Sequence, residues 1–152
     1  MQRAQDIDAV ATMLAARQIA GPSLVELRMW RWIYANPGAT PAALRDATLA
    51  IAADVWKRYY QQDFGPDHTH ILAAYQHMVG HPLYLADYTL GHVISHQIRS
   101  HMQGKDLATE TKRICSIGRV TPDLWMRRAV GSGVAVAPLA DDCTAALARL
   151  AR

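Results

Sequence analysis

Cysteine is scarce in this chain of 152 residues, and so is glutamate: Cys115 and Cys143 stand alone, and Glu26 and Glu110 are the only glutamates. Without any Cys-x-x-Cys spacing there is neither a disulfide framework nor a thiolate metal knuckle, and two free thiols in a reducing compartment are expected. No apolar run approaches the roughly 18–20 residues that a membrane span requires, so no membrane partner is expected. The opening MQRAQDIDAV carries acidic residues where a secretory signal has its apolar core, which makes the cytoplasm the expected compartment. The formal charge is +3, yet the sixteen Lys and Arg residues are scattered. Lys57-Arg58, Lys112-Arg113 and Arg127-Arg128 are pairs suited to solvated helix faces, and no nucleic-acid surface is expected from them. Gly131-Ser132-Gly133 lacks the Lys-Ser/Thr of a phosphate loop. Ser95 lies near His92 and His96 but has no third group to orient a nucleophile.

What is present reads as helix. Hydrophobic residues make up 51% of the chain and charged residues 19%, which fits one domain with its own core. No stretch alternates with period two, and Pro and Gly fall at helical intervals. The expected fold is all-α, a single compact bundle of about seven or eight helices over residues 1–152. A first helix is expected over Asp6 to Ile19, ended by Gly21-Pro22, and a second from Ser23 to Tyr34. Thr40-Pro41 reads as an N-cap followed by Pro at the first helical position, opening a helix to Tyr60. Phe64-Gly65-Pro66-Asp67 breaks the chain, and a short helix follows over His68 to Val79. A long central helix starts near Pro82 and runs to about Gln103. Asp106 caps the next helix, which Gly118 stops, and Thr121-Pro122 opens another to Val130. The last helix follows Pro138. Trp30, Ile33 and Tyr34, and likewise Trp56, Tyr59 and Tyr60, are spaced as core-facing stripes, with Met78, Met102 and Met126 filling gaps.

Chemistry concentrates between His77 and Met102, which holds five of the seven histidines. On a helix, Tyr84, Tyr88, His92 and His96 follow one another at four-residue steps along one stripe. Phenols and imidazoles are costly to bury unpaired, so they line a groove or satisfy one another. His77-x-x-x-His81 and His92-x-x-x-His96 also have the one-turn spacing of a chelating pair, with Asp87 between them.

The run His77-x4-Pro82-Leu83-Tyr84-Leu85-Ala86-Asp87-Tyr88, followed by Leu90-Gly91-His92, resembles the C-terminal helical part of zinc oligopeptidases of the oligoendopeptidase F and thimet oligopeptidase type. Upstream Asp54-Val55-Trp56-Lys57-Arg58-Tyr59-Tyr60 is similar to that family's penultimate helix. Gly118-Arg119-Val120-Thr121-Pro122-Asp123-Leu124-Trp125-Met126 and the Ala137-Pro138-Leu139 helix are similar to its closing segment, so the resemblance covers nearly the whole chain. It implies that His77 binds substrate, that Tyr88 donates to the oxyanion of the transition state, and that Tyr84, Asp87 and His92 lie beside them. The chain departs from the family in having Leu85 where the earlier of two tyrosines three apart is usual.

The reaction centre is missing. Peptidases of this kind need His-Glu-x-x-His, two imidazoles to hold zinc and a Glu to activate water, and no His here is followed by Glu. The reading is therefore a non-catalytic or incomplete homologue that keeps the substrate-facing lobe, with a peptide and a separate zinc-bearing chain as expected partners. No cofactor is expected in this chain itself, although zinc serves the family it resembles. Two alternatives stand beside it: a stand-alone metal site built from His77, His81, His92 and His96, and a self-associating helical protein, expected as a homodimer.

Overall fold

The computed structural model describes residues 2–66 and 68–152. Among them the chain is all-α. The helices are α1 (Gln2–Ala35), α2 (Pro41–Tyr59), α3 (Gln61–Phe64), α4 (His77–Gly80), α5 (Leu85–Met102), α6 (Leu107–Cys115), α7 (Pro122–Val130) and α8 (Ala137–Leu150), with a 3₁₀ turn at Thr69–Ala73 before α4. No described helix is long and apolar enough to cross a membrane. The chain divides into two compact units, one of Arg17–Thr89 and the other of Met1–Ala16 with Leu90–Arg152.

Local chemistry sets most helix ends. The Thr40 hydroxyl accepts from the Ala43 N–H at 3.2 Å, and Pro41 occupies a position where its missing N–H costs nothing. The Asp106 carboxylate accepts from the Thr109 N–H at 2.9 Å, and bonding to Thr109 holds that carboxyl below its usual value. Thr121 precedes Pro122 as expected but makes no side-chain cap bond, and α7 closes on Gly131 at φ 87°, the left-handed stop. The break at Phe64-Gly65-Pro66 is present, while Asp67 lies outside the described residues.

Three expected elements change. The first two helices are one, because α1 runs through Gly21-Pro22 without a stop. Pro22 has no N–H to donate to the previous turn, a loss that ordinarily ends or kinks a helix. The carbonyl that Pro22 leaves without its helical N–H is that of Gln18; the carbonyls on either side take additional donors, Arg17 from the Tyr60 hydroxyl at 2.6 Å and Ile19 from the Ser23 hydroxyl at 2.7 Å, which brace the turn around the missing bond. Gly21 allows the approach, since a Cβ there would stand 2.5 Å from the Tyr60 oxygen. Burial pushes the Tyr60 phenol above its usual value, so it stays a donor.

The helix expected over His68 to Val79 is two short turns instead. Leu72 and Met78 are both buried, and six residues on a continuous α-helix separate side chains by about 120°. Interrupting the helix lets both reach the same core. The long helix near Pro82 is present as α5 but opens at Leu85, because Leu83 has φ 65°. That left-handed backbone is costly for a branched side chain, and Glu26 holds it. The fully buried Glu26 carboxylate accepts from the Leu83 N–H at 2.8 Å and the Leu85 N–H at 3.2 Å, so a side chain of α1 caps α5.

In the Arg17–Thr89 unit, Val25, Met29, Ala52, Val55, Trp56, Tyr60, Leu72, Met78 and Leu85 form the core, with Trp30 and Ile33 packed on it. Tyr34 and Tyr59 depart from their expected stripes: they are 70% and 48% exposed, because the core ends at the Trp30 and Trp56 rings. In the other unit Ala16, Val93 and Leu139 cluster with Met13 and Val134, and Met126 is fully buried while Met102 is half-buried. Buried Gln97 donates to the Gly133 carbonyl at 3.1 Å and accepts from the Ala135 N–H at 3.0 Å, which fixes the extended link into α8. Cys115 is exposed and Cys143 buried, both free.

Candidate functional site

The turn between α4 and α5 gathers the aromatic groups singled out above. His77 stands at the start of α4, His81 just after its end, Tyr84 before α5 and Tyr88 in its first turn. The His77 and Tyr84 rings lie 6.4 Å apart and nearly parallel, and Tyr88 presents its edge to His77 at 6.1 Å. Tyr84 and Tyr88 meet edge to face at 5.2 Å, and His81 lies 5.5 Å from His77 and 6.3 Å from Tyr84. Tyr84 and Tyr88 remain 46% and 42% exposed, so the cluster is open to solvent. Edge-to-face contact satisfies the rings' quadrupoles and fixes their orientation while leaving the hydroxyls outside the contact.

Asp87 is exposed in the same first turn. Tyr88, His92 and His96 share a face of α5, yet their surroundings differ. His92 is half-buried, and the Ser95 hydroxyl donates to its backbone carbonyl at 3.1 Å. His96 is buried, with Nε2 3.0 Å from Asp142 Oδ2 and Nδ1 3.2 Å from Arg99. Both of its ring nitrogens are thus engaged, and His92 and His96 belong to the unit of Leu90–Arg152. Among the described residues no three His, Cys, Asp or Glu side chains come together as a metal-holding group.

For zinc, which the resemblance implies for its family, the described residues offer no group of three such side chains. Both glutamates have other partners. Glu26 caps α5, and Glu110 accepts from His101 at 2.6 Å and from Arg113 at 2.5 Å. Arg113, through that bond, and then His101 pull the Glu110 carboxyl down to about 2. Arg113 also donates to the Arg128 carbonyl at 2.9 Å, so this network ties α6 to α7. The sequence separates Glu110 from His101 by nine residues across a turn, and the Glu26 contacts span fifty-seven and fifty-nine, so spacing gave no sign of either.

A pH dependence follows from Glu110. Its folded value lies below the ordinary one, so its contribution is complete above about pH 4.5 and is lost as pH falls toward about 2. The stability advantage of wild type over E110Q is expected to be constant above that window and to shrink through it, measured as the difference in urea midpoint. A difference that stays flat down to pH 2 would show that Glu110 titrates normally.

Comparison with protein-family models, with curated proteins and with solved structures returns no match.

Proposed function

We propose that this chain is the substrate-facing helical lobe of an oligopeptidase-like protein, non-catalytic by itself, which binds peptide at the turn between α4 and α5. His77, Tyr84 and Tyr88 form the binding surface, with Asp87 at its edge. A separate chain bearing His-Glu-x-x-His would supply zinc and the water-activating Glu. The observation that carries this reading is the gathering of one imidazole and two phenols, 5.2–6.4 Å between rings, on an exposed turn. Phenol hydroxyls donate to peptide carbonyls without carrying charge, and an imidazole both donates and accepts. The exposed Tyr84 and Tyr88 rings also offer apolar area to a side chain of the peptide.

The test is a titration of the protein with a mixture of short unstructured peptides, followed through the histidine ring resonances. Saturable shifts at His77 and His81 are expected. Tyr88→Phe is expected to weaken the interaction by about 0.5–1.5 kcal/mol, roughly 2- to 12-fold, the worth of one ordinary hydrogen bond. Unchanged affinity would remove the Tyr88 hydroxyl from the site, and unmoved histidine resonances would end the reading for this chain alone.

A further inference from the structure

Within the unit of Met1–Ala16 and Leu90–Arg152 there is a cavity of about 490 Å³, within the range of small-molecule sites. Its charged lining comes from three helices: Asp6 and Asp8 of α1, His96 and Arg99 of α5, and Asp142 and Arg149 of α8. Such a mixture of three carboxylates with two guanidiniums around one space is unlike an apolar packing defect, whose walls carry no charge.

Asp6 is the informative group. Its side chain is only 5% exposed, and its three side-chain bonds converge on one oxygen. Gln2 donates to Oδ1 at 2.9 Å, and Arg149 donates to that same oxygen from Nε at 3.0 Å and from Nη2 at 2.7 Å. These bonds hold the carboxyl below its usual value, so it is charged. Oδ2 has no hydrogen-bond partner among the described residues, although a carboxylate oxygen accepts up to two donors. The pairing is also not the parallel fork in which a guanidinium spans both carboxylate oxygens. Arg149 therefore keeps donors beyond those it gives Asp6, and it is 47% exposed. Beside it, Arg99 is 49% exposed and shared between Asp8 and His96, and Asp142 holds His96 through one oxygen only.

We propose that this cavity binds a small zwitterion carrying a primary ammonium, a carboxylate and a polar side chain, the class of free amino acids such as L-glutamine. The ammonium donates to Asp6 Oδ2 and the neighbouring Asp142. The carboxylate accepts from Arg149 and Arg99. Gln5, Ser100 and Gln103 complete the lining and suit an amide. A lone metal cation fits poorly against two guanidiniums, and a simple anion fits poorly against three carboxylates, whereas a zwitterion answers both signs at once. This inference stands apart from peptide binding at the turn between α4 and α5.

The experiment compares three matched probes on the intact chain by calorimetry and amide resonance mapping. These are L-glutamine, 4-aminobutanamide, which lacks only the carboxylate, and glutaramate, which lacks only the ammonium. L-Glutamine is expected to bind saturably, at least about tenfold tighter than either half-molecule, with shifts centred on Asp6, Ala9, Ser100 and Gln103. Asp6→Asn is expected to lose that binding by about tenfold or more. Because Asp6 also anchors Arg149, the wild-type comparison decides the matter even if that variant unfolds. No saturable binding of L-glutamine, or equal binding of either half-molecule, would overturn the proposal.

Discussion

Glu26→Ala is expected to destabilise the Arg17–Thr89 unit by about 2–5 kcal/mol, the cost of leaving two backbone amides without their acceptor. The side chain is fully buried and both of its oxygens are used, one by the Leu83 N–H and one by the Leu85 N–H. Alanine leaves two amides without an acceptor, each costing about 1–3 kcal/mol, and a void besides. Leu83 makes the site more demanding. Its φ of 65° is maintained only while the turn is over-determined, and its N–H bond to Glu26 is one of the contacts that do so. Glu26→Gln retains the shape but offers one acceptor oxygen, so it is expected to lie between wild type and Ala. Urea unfolding measures the three proteins, and amide exchange at Leu83 and Leu85 reports the local consequence. An Ala variant within about 1 kcal/mol of wild type would mean that water replaces the carboxylate and that Glu26 is no cap.

The same residue bears on the proposed peptide site, because Glu26 holds Leu83 in the segment between His81 and Tyr84. If that segment relaxes, the ring contacts His77–Tyr84 and Tyr84–Tyr88 lose the constraint that orders them before a ligand arrives. A polar group buried in one helix thus sets the geometry of the exposed cluster at the start of another.

The all-α class and most helix ends were legible because their causes are local. Thr40-Pro41, Asp106 and Gly131 each act within a few residues of themselves, and a helix end needs no more than that. His77 joined Tyr84 and Tyr88 in the sequence reading only through the resemblance; in the structure their rings come together across the end of α4 and the start of α5. Gly21-Pro22 misled because a contact that braces this turn is distant: the hydroxyl on the Arg17 carbonyl belongs to Tyr60, forty-three residues away. The start of α5 misled because a left-handed Leu has no sequence signature, that conformation being the preserve of Gly and Asn. His96 was read as one of a row on α5. Its neighbours are in fact Arg99 on its own helix and Asp142 on α8, forty-six residues away. Periodicity reports which face a residue occupies and is silent on what that face meets.

Trp56 is the place where the core and the uninterrupted α1 depend on one another, and Trp56→Ala is expected to cost about 3–5 kcal/mol. The ring is 5% exposed, stacks on Tyr60 at 5.5 Å and 18°, lies 6.2 Å from Phe64 at a tilt of 46°, and meets His68 edge to face at 6.1 Å. Its indole N–H donates to the Gly65 carbonyl at 2.7 Å, which fixes the chain after α3. Removing it opens a void beside Tyr60, and Tyr60 donates to the Arg17 carbonyl in the turn of α1 that precedes Pro22. Trp56→Phe keeps a ring for the stack and loses the donor, so about 1–2 kcal/mol is expected. Urea unfolding gives the two costs, and amide exchange separates their causes. In Trp56→Ala, exchange is expected to rise at Gly21, Ser23 and Leu24 as well as around Gly65, whereas Trp56→Phe is expected to affect Gly65 and its neighbours alone. Equal exchange near Pro22 in both variants would show that the indole does not position Tyr60.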